Sequence, residues 1–229
     1  MPLSRTPKAR PRTQRSAPRP TAAARAAITL VLGGVRSGKS LYAETLALGL
    51  ASGGAAKRPG AKPLGAKPLY VATADPDLSR ADAAMTARIA RHRARRSGAW
   101  VVREAPLDLA AALGKAGKSP AVLVDSLTLW LGNVLAAGRK PARETARLVA
   151  ALAAAAVPVI VVSDEVGLGG IAAHPLARDF ADALGTLNQA VAAAAGRVVL
   201  VAAGIPLVLK DTSLKDMSLA DPPTKGRGS

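Results

Sequence analysis

Short apolar runs alternate along the chain with alanine-rich segments whose apolar positions recur at helical spacing. The runs that indicate β-strands are residues 28–32, 69–73, 99–102, 121–124, 157–162, 197–202 and 205–209. The segments that indicate helices are residues 40–50, 78–96, 109–113, 127–135, 142–156 and 176–195, with a loop at 167–170. Strands that alternate with helices pair mostly in parallel, and helices cover both faces of the sheet. The pattern therefore predicts a three-layer α/β fold with a mostly parallel central sheet.

Three segments lack this pattern. Residues 1–26 are rich in Pro, Arg, Ala and Ser without an acidic residue, and we interpret them as a disordered basic tail. An organelle transit peptide or a misplaced start codon would look the same, whereas a secretory signal would need an apolar stretch. Residues 53–68 carry most of a tandem Gly-Ala-Lys-Pro-Leu pair and are interpreted as a flexible insertion. Residues 211–229 are interpreted as a polar tail, which leaves one domain at 27–210.

The amino-acid composition excludes several kinds of site and of catalysis. Hydrophobic residues make up 49% of the 229 residues and aromatic residues only 2%, so the core must be built from small aliphatic side chains. The chain has no cysteine, which excludes disulfides, cysteine-ligated zinc and thiol catalysis and favours a reducing compartment. No apolar run approaches the roughly 20 residues of a membrane span. We therefore expect a soluble, cytoplasmic protein.

The formal net charge of +17 raises the question of nucleic-acid binding. The basic residues concentrate in the N-terminal tail, at 57–67 and at 88–96. Proteins that bind single strands without sequence preference stack the bases on aromatic side chains, and such side chains are scarce here. Nucleic acid is therefore an unlikely partner on composition alone.

The first apolar run leads into the octet Gly33-Gly34-Val35-Arg36-Ser37-Gly38-Lys39-Ser40, and a helical segment follows. The octet fits G-x-x-x-x-G-K-[ST], the phosphate-binding P-loop. Its glycines let backbone N–H groups curl around phosphate oxygens, and the helix that follows points its positive end at them. Lys39 can then reach the β- and γ-phosphates, and the Ser40 hydroxyl can ligate Mg²⁺. A chance glycine-rich turn is the alternative, but the filled pattern between strand and helix favours a fold of the P-loop NTPase type.

Open α/β sheets bind their ligands at the carboxyl ends of the strands. Those ends are expected at 33–40, 72–75, Glu104, Asp125 and 163–165. Asp125 closes the apolar run Ala-Val-Leu-Val, the position of a Walker B carboxylate that helps to hold the Mg²⁺. The alternative role is to cap the next helix, for which Asp125 and Ser126 are equally suited.

Residues 85–96 read Met-Thr-Ala-Arg-Ile-Ala-Arg-His-Arg-Ala-Arg-Arg. In a helix, Arg88, His92 and Arg96 would share one face. Positive charge around an imidazole favours its neutral, nucleophilic form, and guanidinium groups can bind phosphate oxygens. The alternative is a solvated charged helix. The other histidine, His174, precedes a proline in a loop-like stretch and is interpreted as a structural or surface residue.

Taken in order, the motifs resemble the bifunctional adenosylcobinamide kinase/adenosylcobinamide-phosphate guanylyltransferase family of cobalamin biosynthesis. A P-loop by itself would indicate only a superfamily, but this ordered set spans residues 28–210. The stretches that carry the resemblance are LGGVRSGKS at 32–40, YVATA at 70–74, MTARIARHRARR at 85–96, WVVRE at 100–104, VDSLTLWLGN at 124–133, VSDEVGLG at 162–169, PLARDF at 175–180 and GIPLVLK at 204–210.

The resemblance implies two reactions at one nucleotide site. ATP or GTP phosphorylates a hydroxyl of adenosylcobinamide, and GTP then transfers GMP through a histidine to the corrinoid phosphate, giving adenosylcobinamide-GDP. His92 matches the guanylylated histidine, and relatives assemble as trimers. The residues at nucleotide-contacting positions are the P-loop octet, Ala72, Thr73, Ala74, Arg93, Ala94, Arg95, Arg96, Glu104 and Asp125.

The chain departs from the family at Asp164, where an asparagine is usual; the resemblance places this acid near the corrinoid side. The 53–68 insertion and the N-terminal tail have no counterpart either. Two other functions stay open: a P-loop small-molecule kinase that uses Lys39, Ser40 and Asp125 without guanylyl transfer, and a nucleotide-gated nucleic-acid-binding protein. The kinase step has no assigned general base, although Asp164 and Glu165 follow a strand end.

Overall fold

The computed structural model describes residues 27–52, 66–75, 86, 87, 90, 98–170 and 172–212. The strands are β1 (Ile28–Gly33), β2 (Leu69–Ala72), β3 (Val101–Glu104), β4 (Val122–Asp125), β5 (Val159–Asp164), β6 (Arg197–Ala202) and β7 (Ile205–Asp211). The helices are α1 (Lys39–Ala51), α2 (Leu109–Gly114), α3 (Leu127–Ala136), α4 (Pro141–Ala153) and α5 (Pro175–Ala194), with a 3₁₀ turn at Gly167–Gly169.

The seven strands form one sheet in the order β3-β2-β4-β5-β1-β6-β7. All neighbouring strands run parallel except β6 and β7, which form an antiparallel hairpin at one edge. The carboxyl ends of β1 to β6 therefore meet along one margin of the sheet. In the part of the chain that the structure describes, no helix is both long and apolar enough to cross a membrane.

Two hydrophobic cores lie on opposite faces of the sheet. The larger core packs Leu30 and Val161 with side chains of α2, α3, α4 and α5. The smaller core packs Val31 and Val162 with Ala43 and Ala47 of α1. Alternate residues of each strand point to opposite faces, which is why the central strands read as continuous Val, Leu and Ile runs. The predicted three-layer fold with a mostly parallel sheet is confirmed.

Several predicted boundaries are wrong, mostly because strands continue into polar residues. The strand predicted at 99–102 lies at Val101–Glu104, and Trp100 instead packs edge-on against the Tyr70 ring with centroids 5.5 Å apart. The strand predicted at 157–162 runs from Val159 to Asp164. The helix predicted at 142–156 ends at Ala153, and the loop at 167–170 contains the 3₁₀ turn.

The first residues of the predicted C-terminal tail and the last residue of the predicted insertion pair with strands of the sheet. Strand β7 extends through Asp211, and the Thr212 amide donates to the Gly196 carbonyl at 2.8 Å. Pro68 is buried, and its carbonyl accepts a hydrogen bond from the Val101 amide at 3.0 Å. Residues 1–26, 53–65 and 213–229 lie outside the described residues.

Candidate active site

Gly33 ends β1 in a position that has no room for a side chain. A Cβ atom there would lie 2.4 Å from Ser37 Oγ and 2.6 Å from the Val201 carbonyl oxygen. The neighbouring Gly34 is exposed, and a Cβ atom on it would meet nothing within 4 Å. The Ser37 amide donates to the Gly34 carbonyl at 3.2 Å, so the chain turns back tightly over Gly33.

This difference between adjacent glycines gives a matched test. We expect Gly33→Ala to cost about 1–3 kcal/mol of unfolding free energy, because a backbone carbonyl must move. That corresponds to roughly 2–10 °C in the thermal unfolding midpoint, measured without nucleotide. Gly34→Ala should leave the midpoint within about 1 °C, since surface substitutions in open space cost little. Equal losses in the two variants would contradict the tight turn.

The hairpin turn between β6 and β7 contacts the P-loop. Ala203 and Gly204 both have positive φ angles, 51° and 80°, as a two-residue hairpin turn requires. The Gly204 amide donates to the Ser37 carbonyl at 2.7 Å. Gly38, with φ of 95°, packs so closely that an added Cβ would lie 3.2 Å from the Gly204 Cα. The turn thereby fixes the loop just before α1 begins at Lys39.

The side chain of Lys39 is folded back into the P-loop. Its Nζ donates to the Gly34 carbonyl at 3.1 Å and lies 2.6 Å from Oδ1 of Asp164. The Lys39 side chain is 4% exposed and that of Asp164 is 15% exposed. Asp164 lies opposite Gly33 in the pairing of β5 with β1, which explains how two residues 125 positions apart form an ion pair.

The backbone around Asp164 is held on both sides. Its amide donates a hydrogen bond to Oγ1 of Thr128 on α3 at 2.8 Å. Its carbonyl accepts from Nδ2 of Asn188 on α5 at 3.0 Å. The Glu165 amide donates to the Gly33 carbonyl at 3.2 Å. The carboxylate contacts the P-loop lysine itself, and the position of this acid near a corrinoid side stays a prediction.

Asp125 ends β4 and faces the same side of the sheet as α1. It pairs with Val162 of β5, whose side chain packs in the smaller core beside α1. The Tyr70 hydroxyl donates to Asp125 Oδ2 at 2.6 Å. The following helix is capped by Ser126, whose side chain accepts from the Leu129 amide at 3.4 Å. The capping role that was open to either residue thus falls to Ser126.

The next two strand ends continue the same margin. Ala72 pairs with Asp125 on one side and with Glu104 on the other. Thr73 is fully buried, and its hydroxyl donates to the Ser126 carbonyl and accepts from the Ser126 amide, both at 2.7 Å. Ala74 is partly buried and Glu104 is exposed. The structure therefore brings the P-loop, 72–74, Glu104 and Asp125 to one edge.

The arginine-rich segment at 88–96 is the remaining part of the predicted site. His92, Arg93, Ala94, Arg95 and Arg96 lie outside the described residues. Of the predicted helix 78–96, Thr86, Ala87 and Ala90 are described, and all three are helical and exposed. His174 is exposed directly before α5, as expected for a surface residue.

Helix α3 contributes positioning residues that the sequence motifs did not single out. Thr128 holds the end of β5, and Asn133 Nδ2 donates to the Thr73 carbonyl at 2.8 Å and the Pro106 carbonyl at 3.0 Å. Trp130 Nε1 donates to the Leu107 carbonyl at 2.9 Å. The sequence of α3, LTLWLGNVLA, is largely apolar. Polar groups within such a helix are the one feature that could have indicated these residues.

The model of the family described as cobinamide kinase / cobinamide phosphate guanyltransferase matches residues 29–209. The chain belongs to this family. The match covers β1 to nearly the end of β7, so it includes every strand end at the candidate site. The family assignment made from the ordered motifs is confirmed.

Curated relatives agree with the family match. The bifunctional adenosylcobalamin biosynthesis protein CobP of Pseudomonas aeruginosa is 41% identical over 189 residues, which are 81% of this chain and 98% of that protein. The bifunctional adenosylcobalamin biosynthesis protein CobU of Salmonella typhimurium is 32% identical over 199 residues, 79% of this chain and 98% of that protein. CobU of Escherichia coli is 34% identical over 200 residues, with the same coverage of both chains.

Proposed function

We propose that this member of the cobinamide kinase family phosphorylates adenosylcobinamide and then converts the product to adenosylcobinamide-GDP. One observation supports this proposal above the others. A P-loop with a buried, inward-folded lysine and the Asp125 carboxylate stand on one margin of the sheet, in a chain matched to the family over residues 29–209. The relatives named above are bifunctional adenosylcobalamin biosynthesis proteins.

In the kinase reaction, a hydroxyl oxygen of the corrinoid attacks the γ-phosphorus of ATP or GTP, and the bond to the β-phosphate oxygen breaks. Catalysis of this kind depends chiefly on positioning and charge stabilisation. The loop at 33–40 and the positive end of α1 would receive the phosphates. Lys39 would then contact β- and γ-phosphate oxygens in addition to Asp164.

In the guanylyl transfer, a ring nitrogen of His92 attacks the α-phosphorus of GTP, and pyrophosphate leaves. An oxygen of the corrinoid phosphate then attacks the enzyme-bound GMP, the phosphorus–nitrogen bond breaks, and the imidazole is restored. The residues proposed to hold the guanine nucleotide are Ala72, Thr73, Ala74, Glu104 and the segment 93–96. The sequence match to the family and the shared margin of the described members support this set.

Mg²⁺ is the metal that the site fits. Ser40 supplies a hydroxyl on the first turn of α1, and Asp125 supplies a carboxylate oriented by Tyr70. Hard oxygen donors suit Mg²⁺, which is usually held by one or two carboxylates together with substrate phosphates. Accordingly, the described part of the chain has no cluster of three or more acidic, His or Cys side chains fit for a metal. Bound there, the ion would neutralise charge on the phosphates.

Asp125→Asn tests the carboxylate. We expect the Mg²⁺ concentration for half-maximal kinase activity to rise about tenfold, since a charged ligand is replaced by a neutral one of the same shape. Tyr70→Phe removes the hydrogen bond to Asp125 while leaving the charge, so it should shift the requirement much less. An unchanged Mg²⁺ titration for Asp125→Asn would remove this residue from the metal site.

Two parallel labelling experiments test both proposed reactions. Protein is incubated with adenosylcobinamide, Mg²⁺ and GTP labelled at either the γ- or the α-phosphate, and the corrinoids are separated by chromatography. We expect γ-label in the corrinoid phosphate and α-label in the corrinoid-GDP product. Transfer of γ-label alone would indicate a P-loop kinase without guanylyl transfer. Transfer of neither label, together with no transfer from γ-labelled ATP in a parallel incubation, would overturn the proposal.

We also propose a cytoplasmic homo-oligomer, a trimer by the family resemblance. Both edges of the sheet expose apolar side chains, Val101 and Val102 on β3 and Ile205, Leu207 and Leu209 on β7. An exposed apolar edge strand is normally covered. Sedimentation equilibrium of the full chain should give three times the monomer mass of 23.1 kDa.

A further inference from the structure

We propose that Asp164 is an internal competitor of the nucleotide for Lys39, and that it thereby lowers the affinity of the P-loop for nucleotide that carries no Mg²⁺. The inference rests on the proposed function, because it concerns the same P-loop. Its central observation is the 2.6 Å contact between Lys39 Nζ and Asp164 Oδ1, formed by two side chains that are 4% and 15% exposed.

The negative charge of the Asp164 carboxylate is balanced by the ammonium group of Lys39. Oδ1 of Asp164 is buried and has no hydrogen-bond partner among the residues described, so the contact with Lys39 is an ion pair without a well-aligned hydrogen bond. A buried charge that loses its partner costs free energy. When Lys39 turns to the phosphates, this cost opposes nucleotide binding.

The carboxylate also has little freedom to withdraw. The amide and carbonyl of Asp164 are held by Thr128 and Asn188, and the adjoining Glu165 amide is bonded to Gly33. The side chain is short, with its Cα fixed opposite the last residue of β1. A phosphate that accepts from Lys39 must therefore share the ammonium with a carboxylate that stays in place.

Two like charges that share one ammonium group repel each other. At a separation of about 6 Å the repulsion corresponds to roughly threefold to a hundredfold in affinity, depending on screening. Mg²⁺ on the phosphates offsets their charge and so reduces the repulsion. Asp164 therefore favours the metal-bound form of the nucleotide over the free form, beyond the preference that the P-loop itself has.

The test compares the wild-type chain with Asp164→Asn, which has the same shape without the charge. Calorimetric titration with GTP in EDTA should show about tenfold tighter binding by the variant. In excess Mg²⁺ the gain should fall to about threefold or less. Tighter binding is informative because a variant that merely damaged the site would bind more weakly.

Two further variants make the comparison robust. Asp164→Ser also removes the carboxylate and should tighten metal-free binding in the same direction. Glu165→Gln serves as the control, since the Glu165 side chain accepts from the Gly167 amide rather than contacting Lys39, and its affinities should match those of wild type. Equal or weaker binding of metal-free GTP by both Asp164 variants would overturn the inference while leaving the proposed function intact. Absence of GTP binding by wild type would overturn both.

Discussion

Lys39→Ala is expected to lower the kinase and guanylyltransferase activities together, with kcat/KM falling about a hundredfold to a thousandfold in each. Lys39 is the buried cation at the centre of the loop, 2.6 Å from Asp164 and 3.1 Å from the Gly34 carbonyl. Both proposed reactions place a triphosphate on that loop, so both lose the same charge stabilisation. Steady-state assays with γ- and α-labelled GTP measure the two losses separately.

The Lys39 variant needs a control for folding, because it leaves the Asp164 carboxylate buried without its partner. Removing one partner of a buried ion pair lowers the free energy of unfolding by up to about 5 kcal/mol. The double variant Lys39→Ala/Asp164→Asn removes the stranded charge and should recover most of the lost thermal stability while staying inactive. Lys118→Ala, an exposed lysine before β4 at the opposite end of the sheet, should retain full activity. Activity restored in the double variant would contradict a direct role for Lys39.

The sequence was informative about the fold because the central strands are buried on both faces. Runs such as Val122–Asp125 and Val159–Asp164 have nearly every residue buried, which produces the continuous apolar signal of a parallel sheet. Most of the errors fall at strand ends. Glu104 and Asp164 are strand residues that a hydrophobic pattern excludes, and they are polar because this margin of the sheet carries the candidate site.

The contacts within the site depend on strand order, which a linear pattern does not reveal. Strand β5 lies beside β1 although three strands and four helices of the described residues lie between them in sequence. Only this adjacency brings Asp164 against Lys39, so the sequence did not predict their contact. Likewise, the Tyr70–Asp125 hydrogen bond depends on β2 lying next to β4. Motif spacing could predict the P-loop, whose residues are contiguous, but not its partners.

His92→Ala is expected to eliminate covalent labelling of the protein by α-labelled GTP while leaving the kinase reaction within a few-fold of wild type. The chain has two histidines and no cysteine. A phosphoramidate at His92 should be labile in acid and stable in alkali, which distinguishes it from a phosphate ester on Ser or Thr. Because the γ-phosphoryl transfer needs the P-loop and no imidazole nucleophile, the two activities should separate in this variant, unlike in Lys39→Ala.

His174→Ala is the matched control, since His174 is exposed just before α5 and should be dispensable for labelling. Acid-labile label retained by His92→Ala and lost from His174→Ala would move the nucleophile to His174. Loss of the kinase reaction along with the label in His92→Ala would mean that the arginine-rich segment acts in both reactions. The predicted result is narrower: a P-loop that serves two attacks on bound nucleotide, of which only the attack at the α-phosphorus needs His92.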